Sequence, residues 1–174
     1  MKSTDIGFEN FEVEFYAQNT FICGSSATLR TEASAQLSKL NAAGNTVLVT
    51  DPYLFPSSPD STYQADLVAI LKGLNASKII YCAKSKRNAT FFQQVQAVLQ
   101  SVGTTMDFSS QLDDCHDRFW YCPETEKCVV FGTSLNGIGR KICRIDMLTV
   151  EETAELKKFF VQAGIIASGD GNGT

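Results

Sequence analysis

Residues 115–146 read CHDRFWYCPETEKCVVFGTSLNGIGRKICRID, in which two apolar runs flank a polar turn that contains proline. The runs, FWY and CVVF, have the aromatic and β-branched composition of strands, and their spacing predicts an antiparallel hairpin. His116, the only histidine of the chain, precedes the first run, and Arg118 lies two residues further on. Because residues i and i+2 of an extended chain point to the same face, we expect these two side chains to project together.

The turn after the hairpin, residues 132–136, reads GTSLN and is rich in hydroxyl and amide groups. The antiparallel return of the chain should bring this turn next to His116. An imidazole, a guanidinium, a hydroxyl and an amide on one patch form a good site for an oxyanion, and phosphate is the natural ligand of such a combination. The stretch therefore predicts a phosphate-binding site.

These residues resemble the signature of the phospholipase D superfamily, H-x-K-x4-D followed by G-[ST]-x-N. His116 lies at the histidine position, Arg118 stands where the family usually has lysine, and Ser134 and Asn136 fit the later part of the signature. More narrowly, HDRF followed by a G-x-S-L turn and a G-[RK]-K tail is similar to a bacterial subgroup of phospholipase D-like domains.

The resemblance implies a metal-independent phosphodiesterase that needs no cofactor. In the family, one histidine attacks phosphorus and forms a phosphohistidine, while a second histidine protonates the leaving group. By this resemblance, His116 is the nucleophile or the acid, and Arg118 clamps the phosphate. Ser134 and Asn136 orient the phosphate and the imidazole, and Thr133 is an alternative hydroxyl.

Two further consequences concern the supporting acid and the number of chains. The aspartate of the family signature falls on Pro123, so Glu124 or Glu126 is the candidate that replaces it. Because each chain has one histidine, a complete site needs two chains, and a twofold homodimer would place two copies of His116 face to face. The resemblance also points to nucleic acid as the phosphodiester substrate.

The chain before the hairpin predicts an α/β fold. Apolar runs bounded by turn residues predict strands at 46–50, 78–82 and 104–108, with helices at 62–74 and 89–102 between them. Two successive βα units imply parallel strands with right-handed crossovers. We therefore predict a mixed, mainly parallel central sheet flanked by helices, with an antiparallel hairpin that carries the site. Further elements are expected nearer the ends of the chain: strands at 11–15 and 19–23, and helices at 31–43 and 149–163.

Polar side chains that follow the predicted parallel strands are candidates for substrate contacts, because ligands of open α/β sheets bind at the carboxyl ends of strands. Asp51 and Tyr53 follow the first of these strands, although Asp51 capping a turn and Tyr53 packing at its edge is the structural alternative. Lys84 follows the second strand, and Arg140 and Lys141 follow the glycine-rich turn. These basic residues are candidates for steering phosphate, with an ordinary solvated surface as the alternative.

Length and composition limit the classes of protein to which this chain can belong. The chain has 174 residues, a net charge of −4 and six cysteines. Its length predicts one domain, residues 1–167, followed by a glycine-rich tail, residues 168–174, that we expect to be disordered. The acidic balance argues against a protein that coats nucleic acid non-specifically. Without a membrane span or a recognisable signal peptide, we expect a cytoplasmic protein with reduced thiols.

Other motifs fit less well. The turn lacks the second glycine of a nucleophile elbow, and no histidine follows it. P-loop and dinucleotide fingerprints are missing, and the cysteine spacing matches no zinc site, so no metal is expected. A second function, from a different class, is a catalytically degenerate module that binds phosphate-containing ligands, such as nucleic acid or phospholipid head groups, or a partner protein. The arginine in place of lysine and the lost aspartate favour this alternative.

Overall fold

The computed structural model describes residues 20–22, 26–83, 88–112, 115–138 and 143–167, with the backbone alone described before residue 31. Several predicted features lie outside these ranges: the strand at 11–15, Lys84, Arg140, Lys141 and the tail at 168–174. None of the helices within the described ranges is long and apolar enough to cross a membrane.

The described residues contain seven strands: β1 (Thr20–Ile22), β2 (Thr46–Thr50), β3 (Lys78–Cys82), β4 (Thr105–Ser109), β5 (Arg118–Cys122), β6 (Lys127–Phe131) and β7 (Cys143–Met147). They form one sheet in the order β1-β7-β6-β5-β2-β3-β4. β2, β3 and β4 pair in parallel, and the other neighbours pair antiparallel. Among these strands, β5 and β7 therefore run against the other five. The prediction of a mixed sheet with an antiparallel hairpin is confirmed, and its parallel part lies at one end, in β2, β3 and β4.

The described helices are α1 (Ser26–Ser38), α2 (Ser61–Gly73), α3 (Ala89–Gln100) and α4 (Val150–Gln162). α2 and α3 connect the parallel strands, as the two predicted βα units require. Local side chains fix where helices begin. The Asp60 carboxylate accepts a hydrogen bond from the Tyr63 N–H at 2.8 Å. Thr149 and Glu152 form the predicted capping box, in which each side chain accepts the backbone N–H of the other residue.

α1 ends at Ser38, before the end that its apolar spacing predicts, and it also begins earlier. The backbone N–H groups of Leu40 and Asn41 bond to carbonyls only three residues back, which closes the helix. Asn41 then adopts a left-handed conformation with φ of 52°, which a short polar side chain tolerates. Gly44, at φ 74°, belongs to the loop that follows and does not end the helix.

The two faces of the sheet are covered by different helices. Because side chains alternate along a strand, Trp120 of β5 packs against the face that α1, α2 and α3 cover, and Tyr121 packs against the face that α4 covers. Both rings are fully buried, as predicted for strand core. Tyr121 stacks on Phe160 of α4, with ring centroids 5.5 Å apart. A sheet covered on both faces leaves its strand ends as the places where polar groups can meet.

Candidate phosphate site at the carboxyl end of β2

The end of β2 is joined to the beginning of β5 through the hydroxyl of Thr50. This hydroxyl donates to the carbonyl oxygen of Asp117 at 2.9 Å and accepts the N–H of Phe119 at 2.8 Å. The two bonds span Arg118, the first residue of β5. They fix the backbone on which the predicted site residues lie, and they replace part of the strand pairing where the ladder ends.

Asp51 joins the same end of β2 to the turn after β6. Its side chain is fully buried. One carboxylate oxygen, Oδ2, accepts the Ser134 hydroxyl at 2.9 Å and the Leu135 N–H at 3.0 Å, and the other, Oδ1, accepts the Tyr53 N–H at 3.0 Å. Ser134 lies 83 residues away in sequence. The carboxylate therefore holds together two segments that local sequence does not connect.

Arg118 lies beside this carboxylate. In the β2–β5 register Leu48 pairs with Tyr121 and Val49 with Trp120, so continuing the antiparallel ladder sets Asp51 opposite Arg118. Nε of Arg118 is buried and makes no hydrogen bond with any described residue. Three other donors occupy three of the roughly four acceptor positions of the Asp51 carboxylate. An arginine donor without water or an acceptor is unfavourable, and an oxyanion is the partner that a guanidinium accepts best.

His116 is exposed, and within the described ranges no residue hydrogen bonds to its imidazole. β5 begins at Arg118, so the strand alternation that would set both side chains on one face does not extend to His116. The histidine instead lies in the segment that leads into the strand, two residues from the guanidinium. It is accessible to a ligand that approaches this end of the sheet.

The turn that carries Ser134 and Asn136 is compact. Residues 135–137 form a single 3-10 turn, and the Gly137 N–H donates to the Ser134 carbonyl at 2.7 Å. A Cβ atom on Gly137 would lie 2.7 Å from Oγ1 of Thr133, so a larger residue there would require the Thr133 side chain to move. Ser134 is buried, whereas Thr133 and Asn136 are partly exposed. Asn136 and Thr133 are therefore the members of this turn that a ligand can reach.

Glu124, the acid that the resemblance suggests for His116, lies at the other end of the sheet. Its carboxylate accepts the N–H of Thr46, the first residue of β2, at 3.1 Å. Asp51 follows the last residue of that strand, and the backbones of Thr46 and Asp51 are roughly 16 Å apart at the rise of an extended chain. Glu126 is paired with Lys157 at 2.7 Å. Of the acidic residues named here, Asp51 is the one at the end of β2 that faces the turn and Arg118.

Tyr53 is 56% exposed, while its backbone N–H is fixed by Asp51. The structural alternative, in which Asp51 caps a turn, therefore describes the bond that Oδ1 accepts from the Tyr53 N–H. Sequence reasoning missed the part played by Thr50, because the run TVLVT indicates a strand and gives no sign that its last hydroxyl bridges to residues 117 and 119. The polar dipeptide Thr50-Asp51 after a buried strand is the signal that was present.

The cysteines at this end of the sheet are protonated thiols at neutral pH. Burial raises the pKa of Cys82 to about 12 and also raises the pKa of Cys115 and of Cys143. The thiolate is the nucleophilic and metal-binding form of cysteine. Among the residues that the structure describes, no three His, Cys, Asp or Glu side chains are grouped as around a metal ion. The polar chemistry of the site rests with the imidazole, the guanidinium and the buried carboxylate.

Asp51 gives a testable dependence of stability on pH. Burial raises the pKa of its carboxyl above 3.8, although hydrogen bonds from Ser134, Leu135 and Tyr53 and the charge of Arg118 lower it in part. The folded state therefore binds this proton more tightly than the unfolded chain does. The resulting contribution to stability is fully present below pH 3.8 and is lost as the pH rises through the raised pKa of the folded state.

We expect wild type to lose free energy of unfolding relative to Asp51→Asn as the pH rises through this window, by about 1.4 kcal/mol for each unit by which the pKa is raised. Urea unfolding of both proteins across the acidic range measures the difference. Ser134→Ala removes a donor that lowers the pKa, so it should move the window to higher pH. A difference that stays constant with pH would contradict this account of the carboxyl.

Comparisons with known proteins add information on the fold. The sequence matches no protein-family model and no curated protein. Among solved structures, a polyphosphate kinase from Porphyromonas gingivalis matches 88% of this chain with a TM-score of 0.52 and 10% identity. TrmBL2, an archaeal chromatin protein with a novel mode of DNA binding, matches 89% with a TM-score of 0.41 and 13% identity. Nuc from Salmonella typhimurium, a phospholipase D family member, matches 84% with a TM-score of 0.49 and 10% identity.

The three matches cover different shares of the known proteins. This chain spans 27% of the polyphosphate kinase, 54% of TrmBL2 and 94% of Nuc. At these identities a likeness shows the fold alone. The chain therefore has an α/β fold that it shares with about a quarter of the polyphosphate kinase.

Proposed function

We propose that this protein is a metal-independent phosphodiesterase, specifically a nuclease, which acts through His116 in a homodimer. The observation that carries the proposal is the buried Nε of Arg118, which has no hydrogen-bond partner among the described residues and lies two residues from an exposed histidine at the carboxyl end of β2. This end of a strand is where α/β sheets bind their ligands. The chemistry assigned to the histidine rests on the resemblance of residues 116–136 to the phospholipase D signature.

The charge at this site suits a phosphodiester. The positive charge of Arg118 is opposed by Asp51, but the carboxylate oxygens are used by Tyr53, Ser134 and Leu135. A phosphodiester carries one negative charge and two oxygens that are free to accept hydrogen bonds. It can therefore supply acceptors to the guanidinium without displacing any of the bonds to Asp51, and Asn136 can donate from the neighbouring turn.

The proposed reaction has two steps. A nitrogen of the His116 imidazole attacks phosphorus as the bond to the leaving oxygen breaks, and a second histidine gives that oxygen a proton. Water then attacks the phosphohistidine, the P–N bond breaks, and the second histidine takes up the proton of the water. Because the chain has one histidine, the second imidazole comes from another copy of the chain, and a twofold axis near the site supplies it.

Nucleic acid is the proposed substrate because of Tyr53. Tyr53 is 56% exposed, and its backbone is fixed at the end of β2 by the bond to Asp51. Exposed aromatic side chains are groups on which the bases of single-stranded nucleic acid stack. A net charge of −4 makes a broad non-specific contact with the phosphate backbone unfavourable, so the contact should be confined to this site.

A second candidate is a module that binds phosphate-containing ligands without turnover. One observation favours it: no acidic residue in the described ranges forms a hydrogen bond or an ion pair with the His116 imidazole, which therefore has no described acid to orient it. Such a site would keep the affinity that the guanidinium provides and would lack an effective nucleophile.

The proposal is tested by hydrolysis of bis-p-nitrophenyl phosphate and of single- and double-stranded DNA in the presence of EDTA, together with light scattering over a range of protein concentrations. We expect turnover of the small ester, preference for single-stranded DNA, and a rate per chain that follows the fraction of dimer. Turnover by a protein that is monomeric at every concentration would contradict the two-histidine mechanism. Binding of phosphate ligands without turnover would favour the second candidate.

A further inference from the structure

The carboxylate of Asp51 accepts more hydrogen bonds than a turn cap requires. The bond from Oδ1 to the Tyr53 N–H, two residues on, is the ordinary local bond that an aspartate makes at a turn. The Oδ2 atom serves a different purpose, because its two donors, Ser134 and Leu135, come from the turn after β6. A local cap accounts for the first bond and leaves the other two unexplained.

A buried carboxylate is also a costly choice for a structural link. Asp51 is fully removed from solvent, and an isolated carboxylate in that position is strongly unfavourable. A neutral acceptor could receive the same N–H and O–H groups at lower cost. A negative charge strengthens the hydrogen bonds that it accepts, and it also balances a positive charge; Arg118 is the cation beside Asp51. The phenol of Tyr63, which also faces the carboxylate, donates to the Leu54 carbonyl at 2.7 Å.

We infer that Asp51 is a positioning residue of the phosphate site: it fixes the Ser134–Leu135 backbone and balances Arg118, and so holds Asn136 and the guanidinium for the same ligand. That these groups bind a phosphate rests on the proposed function. Ser134 is not a ligand of the substrate, because its hydroxyl is buried and its hydrogen is given to Asp51.

The resemblance gave an acid after the histidine a different role, that of supporting His116. Glu124 cannot fill it, since it is bonded to the first residue of β2. Asp51 reaches the site from the other end of the same strand. It acts on the guanidinium and the turn, and the described structure contains no bond from it to the imidazole. The supporting acid of this site therefore orients the groups that bind the phosphate.

The test compares Asp51→Asn, Ser134→Ala and the double variant, with Asp107→Asn as the matched control. Asp107 is an exposed aspartate of β4 that pairs with Lys78 at 2.9 Å and lies outside the site. We expect Asp51→Asn to lower kcat/KM per folded molecule about 10- to 100-fold, and Asp107→Asn to leave it unchanged. Because Ser134 acts through Asp51, the double variant should be no slower than Asp51→Asn alone.

Nuclear magnetic resonance of the same proteins provides a readout that does not depend on turnover. The Leu135 amide proton donates to a carboxylate in wild type, and we expect its signal to move in Asp51→Asn and in Ser134→Ala but not in Asp107→Asn. The side-chain amide signals of Asn136 should move with it. Titration with inorganic phosphate then measures whether the affinity for an oxyanion falls in the variants whose amide signals move.

The outcomes separate the inference from the proposed function. Wild type that neither hydrolyses diesters nor binds phosphate overturns the function, and the amide signals still decide whether Asp51 positions the turn. Active wild type with unchanged amide signals and unchanged kcat/KM in Asp51→Asn overturns the inference alone. Additive losses in the double variant also overturn it. If Asp51→Asn does not fold, Ser134→Ala removes the donor of the same hydrogen bond, and its amide signals and kcat/KM are measured instead.

Discussion

His116→Ala is expected to abolish hydrolysis in EDTA, with a loss in kcat of at least about 10³-fold, because the variant removes the atom that forms the bond to phosphorus. The histidine is exposed and makes no bond to any described residue, so its removal should leave the free energy of unfolding almost unchanged. Initial rates with bis-p-nitrophenyl phosphate and urea unfolding of the same preparation measure the two quantities. A residual rate within tenfold of wild type would contradict a nucleophilic role.

Mixtures of wild type and His116→Ala distinguish one histidine per site from two. If each site takes one imidazole from each copy of the chain, only dimers of two wild-type chains are active, and activity falls as the square of the wild-type fraction. If each chain carries a complete site, activity falls in direct proportion to that fraction. The subunits must exchange before the assay, so the mixture is prepared by unfolding and refolding together. A linear dependence would contradict the shared site.

Phe160→Ala is expected to lower the free energy of unfolding by about 3–5 kcal/mol, a large part of the total for a domain of this size. Phe160 is fully buried on the face that α4 covers, and its ring lies at 7° to that of Tyr121. The loss combines the transfer of a large apolar side chain to water with the cavity that remains. Equilibrium urea unfolding, monitored by circular dichroism, measures it.

The neighbouring phenylalanine supplies the matched control. Phe159 belongs to the same helix and is 45% exposed. The same substitution there should cost less than about 1 kcal/mol, because little apolar surface returns to water and no internal cavity forms. Equal losses for the two variants would mean that α4 does not pack on the sheet through Phe160.

Much of the fold followed from local sequence. The runs at 46–50 and 78–82 have the predicted strand boundaries, because apolar residues covered on both faces are bounded by polar turn residues. The capping box of Thr149 and Glu152 fixed the start of α4 in the same way. α1 differed, because its end depends on the left-handed backbone of Asn41 and not on the apolar spacing from which the helix was predicted.

The candidate site likewise contains residues that local sequence identifies and residues that it does not. The residues His116 and Arg118, and the turn that carries Asn136, stand out in the sequence because their types and spacing are local. Glu124 is eight residues from His116, yet it lies near the opposite end of the sheet because β5 carries the chain along the whole length of β2. Proximity in sequence was therefore a poor guide to which acid lies at the end of the sheet that carries His116 and Arg118.

The sequence by itself determined the elements, the hairpin and the identity of the groups that can bind a phosphate, because each of these depends on residues a few positions apart. The tertiary structure alone decided which of them meet. Asp51 and Ser134, which are 83 residues apart, are joined because β5 pairs beside β2 and the turn after β6 folds over the end of that strand. A hydrogen bond between remote segments depends on the order and register of strands in the sheet, and no local pattern encodes either one.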